Sequence, residues 1–155
     1  MDLDALRTPT RFLPSMGLSF PPELDLQELE SWWEAEGKAI SMMIDRMGTP
    51  WLRAYDRFGR RIDEILYPPD YRRMLLQGYR AGAVWHAFEG AGLSATFVIG
   101  YLTAFYDAGL YCPYTVSLAT ALALHKYGDP DLQARFLPPL LRRDGEVWQG
   151  ATWMT

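Results

Sequence analysis

HKYGDPDLQARFLPPLLRRDGEVWQGATWMT, residues 125–155, decides how this chain is read. It opens on a helix end, because Tyr127 runs into Gly128, and glycine readily takes the backbone turn that closes a helix. Asp129 then stands at an N-cap position, Pro130 at the first helical position, and Asp131 near the positive end of the helix dipole. Leu132, Phe136 and Leu140 fall on one face of that next helix. Pro138 and Pro139 are expected to interrupt or kink it, since proline removes a donor and clashes with the preceding turn. Beyond Gly145 the pattern changes. GEVWQGATWMT carries two tryptophans, a methionine and three β-branched residues, with no helix C-cap and no charged tail. It reads as the start of a buried strand, cut off as it enters something.

Working outward, two long uncharged stretches precede this segment. Residues 93–107 and 113–127 read as helices, ended by Gly109 and Gly128. Both contain Gly or Ser and Thr, and Asp107 separates them, so central helices of a bundle explain them better than membrane spans. Further upstream, Asp25 and Glu28 form a capping box, with Leu24 and Leu29 as its staple. Leu26, Leu29, Trp33, Ile40, Met43 and Met47 continue as one apolar stripe until Gly48 and Pro50. Gly59 in DRFGR marks a small β-hairpin over 51–56 and 61–67. Pro69 then starts a helix carrying Tyr71, Met74, Leu75 and Tyr79, which runs toward Gly82 and on toward Trp85 and Phe88. Residues 1–24, rich in proline and polar residues, read as an extended arm.

Composition narrows the function. A chain of 155 residues, 49% hydrophobic, fits one ordinary domain with a real core. The net charge of −4 argues against a nucleic-acid surface, which needs clustered Lys and Arg. The pairs Arg60-Arg61, Arg72-Arg73 and Arg142-Arg143 each lie near carboxylates and read as solvated faces. One cysteine, Cys112, excludes an internal disulfide and a Cys-based metal cluster, and His86 and His125 lack ligand spacing. Cys112 reads as a small buried residue in a turn. His125, near a helix end, reads as a partner for terminal carbonyls. No metal site is expected. The N-terminus has no secretory signal pattern, and the reducing cytoplasm is the expected compartment.

Residues 125–155 resemble the end of the N-terminal helical domain of acyl-CoA dehydrogenases. Gly128, Gln133, Phe136-Leu137-Pro138, Gly145-Glu146 and Thr155 stand at the positions of that family's motif. LRAYDRFGRRIDEILYPPDY (52–71) and AGLYCPYTVSLATALAL (108–124) are similar to the AidB-like branch, relatives linked to the adaptive response to DNA alkylation. The resemblance implies an all-α N-terminal helical-bundle domain over 25–147. The hairpin would be inserted in it, and 148–155 would start a truncated middle β-domain. Family members add a C-terminal four-helix bundle, and FAD lies between the middle and C-terminal domains.

What the resemblance implies about chemistry follows from that layout. The reaction is α,β-dehydrogenation of an acyl-CoA thioester, with an electron-transfer flavoprotein as partner in true dehydrogenases. Trp153, Met154 and Thr155 would contact the flavin; threonine suits this because it offers a backbone donor and a rotatable hydroxyl. Without the resemblance, Trp153 and Met154 are core strand residues. Tyr114, Thr115, Leu118 and Ala119 would face the acyl chain, and each serves equally well as ordinary helix–helix core. Trp148 and Trp153 read as buried aromatics at a domain junction. The catalytic base is a carboxylate of the missing C-terminal domain, so no catalytic residue is assigned here. This part alone is expected to be inactive and to hold no stable flavin. Homo-oligomers are expected. The rival reading is a non-catalytic helical module for oligomerisation or partner binding in an AidB-like adaptive-response protein.

Overall fold

The structure, a computed structural model, describes residues 9–15, 17, 22, 24–48, 50–89 and 92–153. Its long helices follow from the caps and stripes in the sequence. Asp25 accepts a hydrogen bond from the Glu28 amide at 2.8 Å and starts α2 (Leu26–Trp32). A π turn, Trp33–Gly37, follows, and α3 (Lys38–Met47) completes the rod. A π turn inserts a residue and so rotates the apolar stripe beyond it. Ile44 therefore packs against the core where Met43 was expected, and Met43 is exposed. The side chain of Met47 lies outside the described residues. Gly37 permits the arrangement: a Cβ there would stand 2.3 Å from the Trp33 ring. That ring stacks on Tyr106 with centroids 5.3 Å apart.

The extended arm is corrected in part. Pro9–Ser15 form a short helix, α1, tied to α2 by Thr10, which donates from its backbone and hydroxyl to the buried Glu30 carboxylate. Most of the rest of 1–24 lies outside the described residues. The hairpin forms as expected, with β1 (Trp51–Tyr55) antiparallel to β2 (Arg61–Leu66). Helix α4 (Tyr71–Ala81) begins after Asp70, so Pro69 precedes it and does not open it. It ends at Gly82, whose φ of 104° belongs to the left-handed region, and a separate 3-10 turn, Trp85–Phe88, follows.

Helix α5 (Gly92–Tyr106) and helix α6 (Ala108–Tyr127) form the centre of the domain. Gly109 does not end a helix; it lies inside α6, which starts five residues before the expected Pro113. Asp107 explains the early start. Its carboxylate accepts from the Leu110 amide at 2.9 Å and from the Ser41 hydroxyl at 2.8 Å, capping α6 and tying it to α3. Loss of both bonds in Asp107→Ala is expected to cost about 1–2 kcal/mol. Urea denaturation checks this, and an unchanged midpoint would contradict the cap. Cys112, placed in a turn by the sequence reading, lies exposed on this helix.

Helix α7 (Pro130–Leu140) begins at Asp129, whose side chain accepts from the Leu132 amide at 2.8 Å. Pro138 and Pro139 do not interrupt it. They fall in its last turn, and the Leu141 amide closes that turn on the Pro138 carbonyl at 3.1 Å. The core joins Trp33, Met74, Leu75, Tyr79, Ile99 and Tyr114 across the π turn, α4, α5 and α6. Among the described residues no helix is long and apolar enough to cross a membrane.

Candidate functional site

The site is built on the two sides of α6. Its inner side is locked to α4. Tyr114 is fully buried and donates to the Leu75 carbonyl at 2.6 Å. Its ring meets Tyr79 edge-on, with centroids 4.9 Å apart. Gly78 makes room for it, since a Cβ there would stand 2.3 Å from the Tyr114 ring. Burial pushes the phenol pKa of Tyr114 well above 10.0 and raises that of Tyr79, so both stay neutral in the fold. Leu118 and Ser117 are buried on the same helix.

The segment after α7 is then laid across α6. Arg72 donates to the Gly145 carbonyl at 2.6 Å, and the Trp148 amide donates to the Pro139 carbonyl at 2.9 Å. The Gly150 amide donates to Ser117 Oγ at 3.0 Å, and Ser117 Oγ lies 2.8 Å from the Tyr79 hydroxyl. Glycine is required at 150 for so close an approach. A Cβ there would stand 2.4 Å from Thr120 Oγ1 and 2.8 Å from the Ser117 Cα.

Between this segment and the outer side of α6 lies an open groove of about 580 Å³. Ala119, Thr120, Ala123 and Tyr127 form one wall, Ala151 and Thr152 the other. The groove is apolar for a specific reason. Thr120 donates its hydroxyl to the Val116 carbonyl at 2.9 Å, and neighbouring Thr115 donates to the Cys112 carbonyl at 2.8 Å. Both hydroxyls are spent on their own helix. Gln133 closes the far end of the helix, donating from its amide to the Gly128 carbonyl at 2.8 Å and the His125 carbonyl at 3.2 Å.

The residues singled out from sequence are therefore divided. Tyr114 and Leu118 face the interior; Thr115 is half-buried; Ala119 faces the groove. Trp148 and Trp153 are exposed here, Trp153 at 91%, and not buried. Residues 148–153 form no strand, and a strand finds its ladder partners only on neighbouring strands. Met154 and Thr155 lie outside the described residues. His125 packs edge-on against Phe88 at 5.5 Å and contributes its own carbonyl to Gln133. Gly150, Ser117 and Thr120 were missed. A glycine within a strand-like run, as at 150, was the one signal that could have found the close approach. Among the described residues no cluster of His, Cys, Asp or Glu could hold a metal ion.

This architecture has known counterparts. The solved structure "Bd2924 apo-form" superposes with a TM-score of 0.72 at 26% sequence identity, covering 94% of this chain and 30% of that chain. The present chain thus spans less than a third of that protein's length. No curated protein matches. A family model described as the adaptive response protein AidB N-terminal domain matches residues 30–146, which take in the helices capped by Asp107 and Asp129, the hairpin and the Gln133 closure. The chain belongs to the AidB N-terminal domain family and is an acyl-CoA dehydrogenase-like N-terminal portion.

Proposed function

We propose that this chain supplies the acyl-binding wall of an FAD-dependent acyl-CoA dehydrogenase-like flavoprotein. The observation that carries the reading is the groove on α6, apolar, open to the outside of the domain, and walled by the segment that leads toward residue 153. Small side chains at Ala119 and Ala123 leave width for a hydrocarbon chain. The Thr120 hydroxyl, tied back to the helix, is one polar group that an apolar chain would not strand. Rigid anchoring of α6 through Tyr114 and Tyr79 holds that wall in place, which is what orienting a substrate requires.

The flavin fits at the same edge. Trp153 stands out from the domain and so suits a planar ring arriving from outside it. Trp153, with Met154 and Thr155 beyond it, would hold the ring. FAD, when bound, supplies the hydride acceptor. The proton-abstracting carboxylate belongs to the C-terminal domain of such a protein, and none is assigned on this chain. Mixing this chain with the middle and C-terminal domains of an acyl-CoA dehydrogenase-like relative, in the presence of FAD, tests the reading. Adding an acyl-CoA should bleach the oxidised flavin band. A mixture that holds flavin yet never bleaches with any acyl-CoA would favour the second reading, a non-catalytic interaction module of an AidB-like protein.

A further inference from the structure

We propose that Ser117 is the positioning residue of the α6 groove, fixing its second wall through the Gly150 amide. The inference deepens the flavoprotein reading and rests on it for the acyl chain, though not for the contact itself. The segment after α7 is held to the helices by three hydrogen bonds. Arg72 donates to the Gly145 carbonyl, the Trp148 amide donates to the Pro139 carbonyl, and the Gly150 amide donates to Ser117 Oγ at 3.0 Å. The third is the last. Among the described residues no hydrogen bond ties Ala151, Thr152 or Trp153. Ala151 and Thr152, the groove wall opposite Ala119 and Ala123, therefore take their place from Gly150. So does Trp153 beyond them.

Ser117 differs from the other hydroxyl residues around it. Thr115 and Thr120 give their hydroxyls to the Cys112 and Val116 carbonyls of their own helix. A helical serine ordinarily does the same one turn back, which for Ser117 is the Pro113 carbonyl. Here the Tyr79 hydroxyl reaches that carbonyl at 3.4 Å and lies 2.8 Å from Ser117 Oγ. Ser117 is thereby turned toward Tyr79 and Gly150. Its side chain is fully buried, so water does not compete for it. The other partner is fitted as closely. A Cβ at Gly150 would stand 2.4 Å from Thr120 Oγ1 and 2.8 Å from the Ser117 Cα, so glycine alone brings the amide within reach. A wall held at one point shifts when that point is released. An acyl chain touching both walls then binds less tightly, before any effect on the fold.

Two measurements test this. The first is amide hydrogen exchange of the whole chain, followed residue by residue. The second is stopped-flow flavin reduction in the mixture with the middle and C-terminal domains of a relative, with octanoyl-CoA as the probe. Ser117→Ala should speed exchange at Gly150 about tenfold, the effect of losing one buried hydrogen bond, and leave exchange in α5 unchanged. The octanoyl-CoA concentration for half-maximal bleaching should rise about tenfold with the amplitude kept. Gly150→Ala, which displaces the same contact from the other side, should raise that concentration likewise. Ser117→Cys keeps the volume and a weak sulfur acceptor, and should fall between. Unchanged exchange at Gly150 in Ser117→Ala would overturn the contact. Faster exchange at Gly150 with an unmoved half-saturating concentration would overturn the positioning role and leave the flavoprotein reading standing. Faster exchange throughout the chain, with lost amplitude, would make Ser117 a general support of the fold and overturn the proposal as well. A starting chain that holds flavin in the mixture yet never bleaches would overturn the flavoprotein reading, and with it the role of Ser117, even where exchange shows the contact.

Discussion

Replacing Tyr114 with alanine is expected to cost the domain about 3–5 kcal/mol, a large fraction of what holds a domain of this size folded. Three losses combine. The ring leaves a cavity between α4 and α6 that Gly78, with no side chain, cannot fill. The Leu75 carbonyl loses its donor at 2.6 Å. The edge-on contact with Tyr79 at 4.9 Å also disappears. Tyr114→Phe keeps the ring and should cost only about 1 kcal/mol. The same residue sets an alkaline limit. Its pKa is raised in the fold above the ordinary 10.0. Its contribution is therefore complete below pH 10 and declines above it, because the unfolded chain releases the proton first. Urea denaturation at neutral and alkaline pH reads both effects. A loss under about 1 kcal/mol in Tyr114→Ala would show that α6 is held elsewhere.

Ala119→Phe should do the opposite, leaving the fold and removing the function. Ala119 faces the groove of about 580 Å³ and no core neighbour. Stability should stay within about 0.5 kcal/mol of the starting chain. In the assembled flavoprotein, acyl-CoA-dependent flavin reduction should fall about a hundredfold, because a ring in the groove displaces the acyl chain from its reacting position. Stopped-flow absorbance of the flavin measures this. Unchanged reduction would move the acyl chain off this face of α6.

Local signals that act within a few residues were legible in the sequence. Asp25 and Asp129 mark helix starts because caps depend on adjacent backbone alone. The hairpin at Gly59 was legible for the same reason. The helix read as running past Gly82 toward Phe88, by contrast, ends at Gly82. What failed depended on distant partners. The start of α6 was misplaced because Gly109 and Pro113 look like breakers, while Asp107 gains its strength as a cap from Ser41, far away in the chain. Met43 was placed inward because the π turn at Trp33 leaves no mark in an apolar count. In the site, a helix apolar all round gives no phase. Periodicity could not separate Tyr114, which packs on α4, and the buried Leu118 from Ala119, which faces the groove. Trp153 was read as buried because aromatic runs usually are, but it stands 91% exposed at the end of the described residues.

The central claim is that this chain forms one wall of a flavin and acyl site completed by other domains. The visible absorption spectrum after FAD is added and the excess removed tests it most directly. The chain should be examined alone and with the middle and C-terminal domains of an acyl-CoA dehydrogenase-like relative. Bound flavin in the mixture, with less retained when Trp153→Ala replaces the starting chain, is the expected result. Flavin held by the chain alone, or in neither sample, would contradict the account.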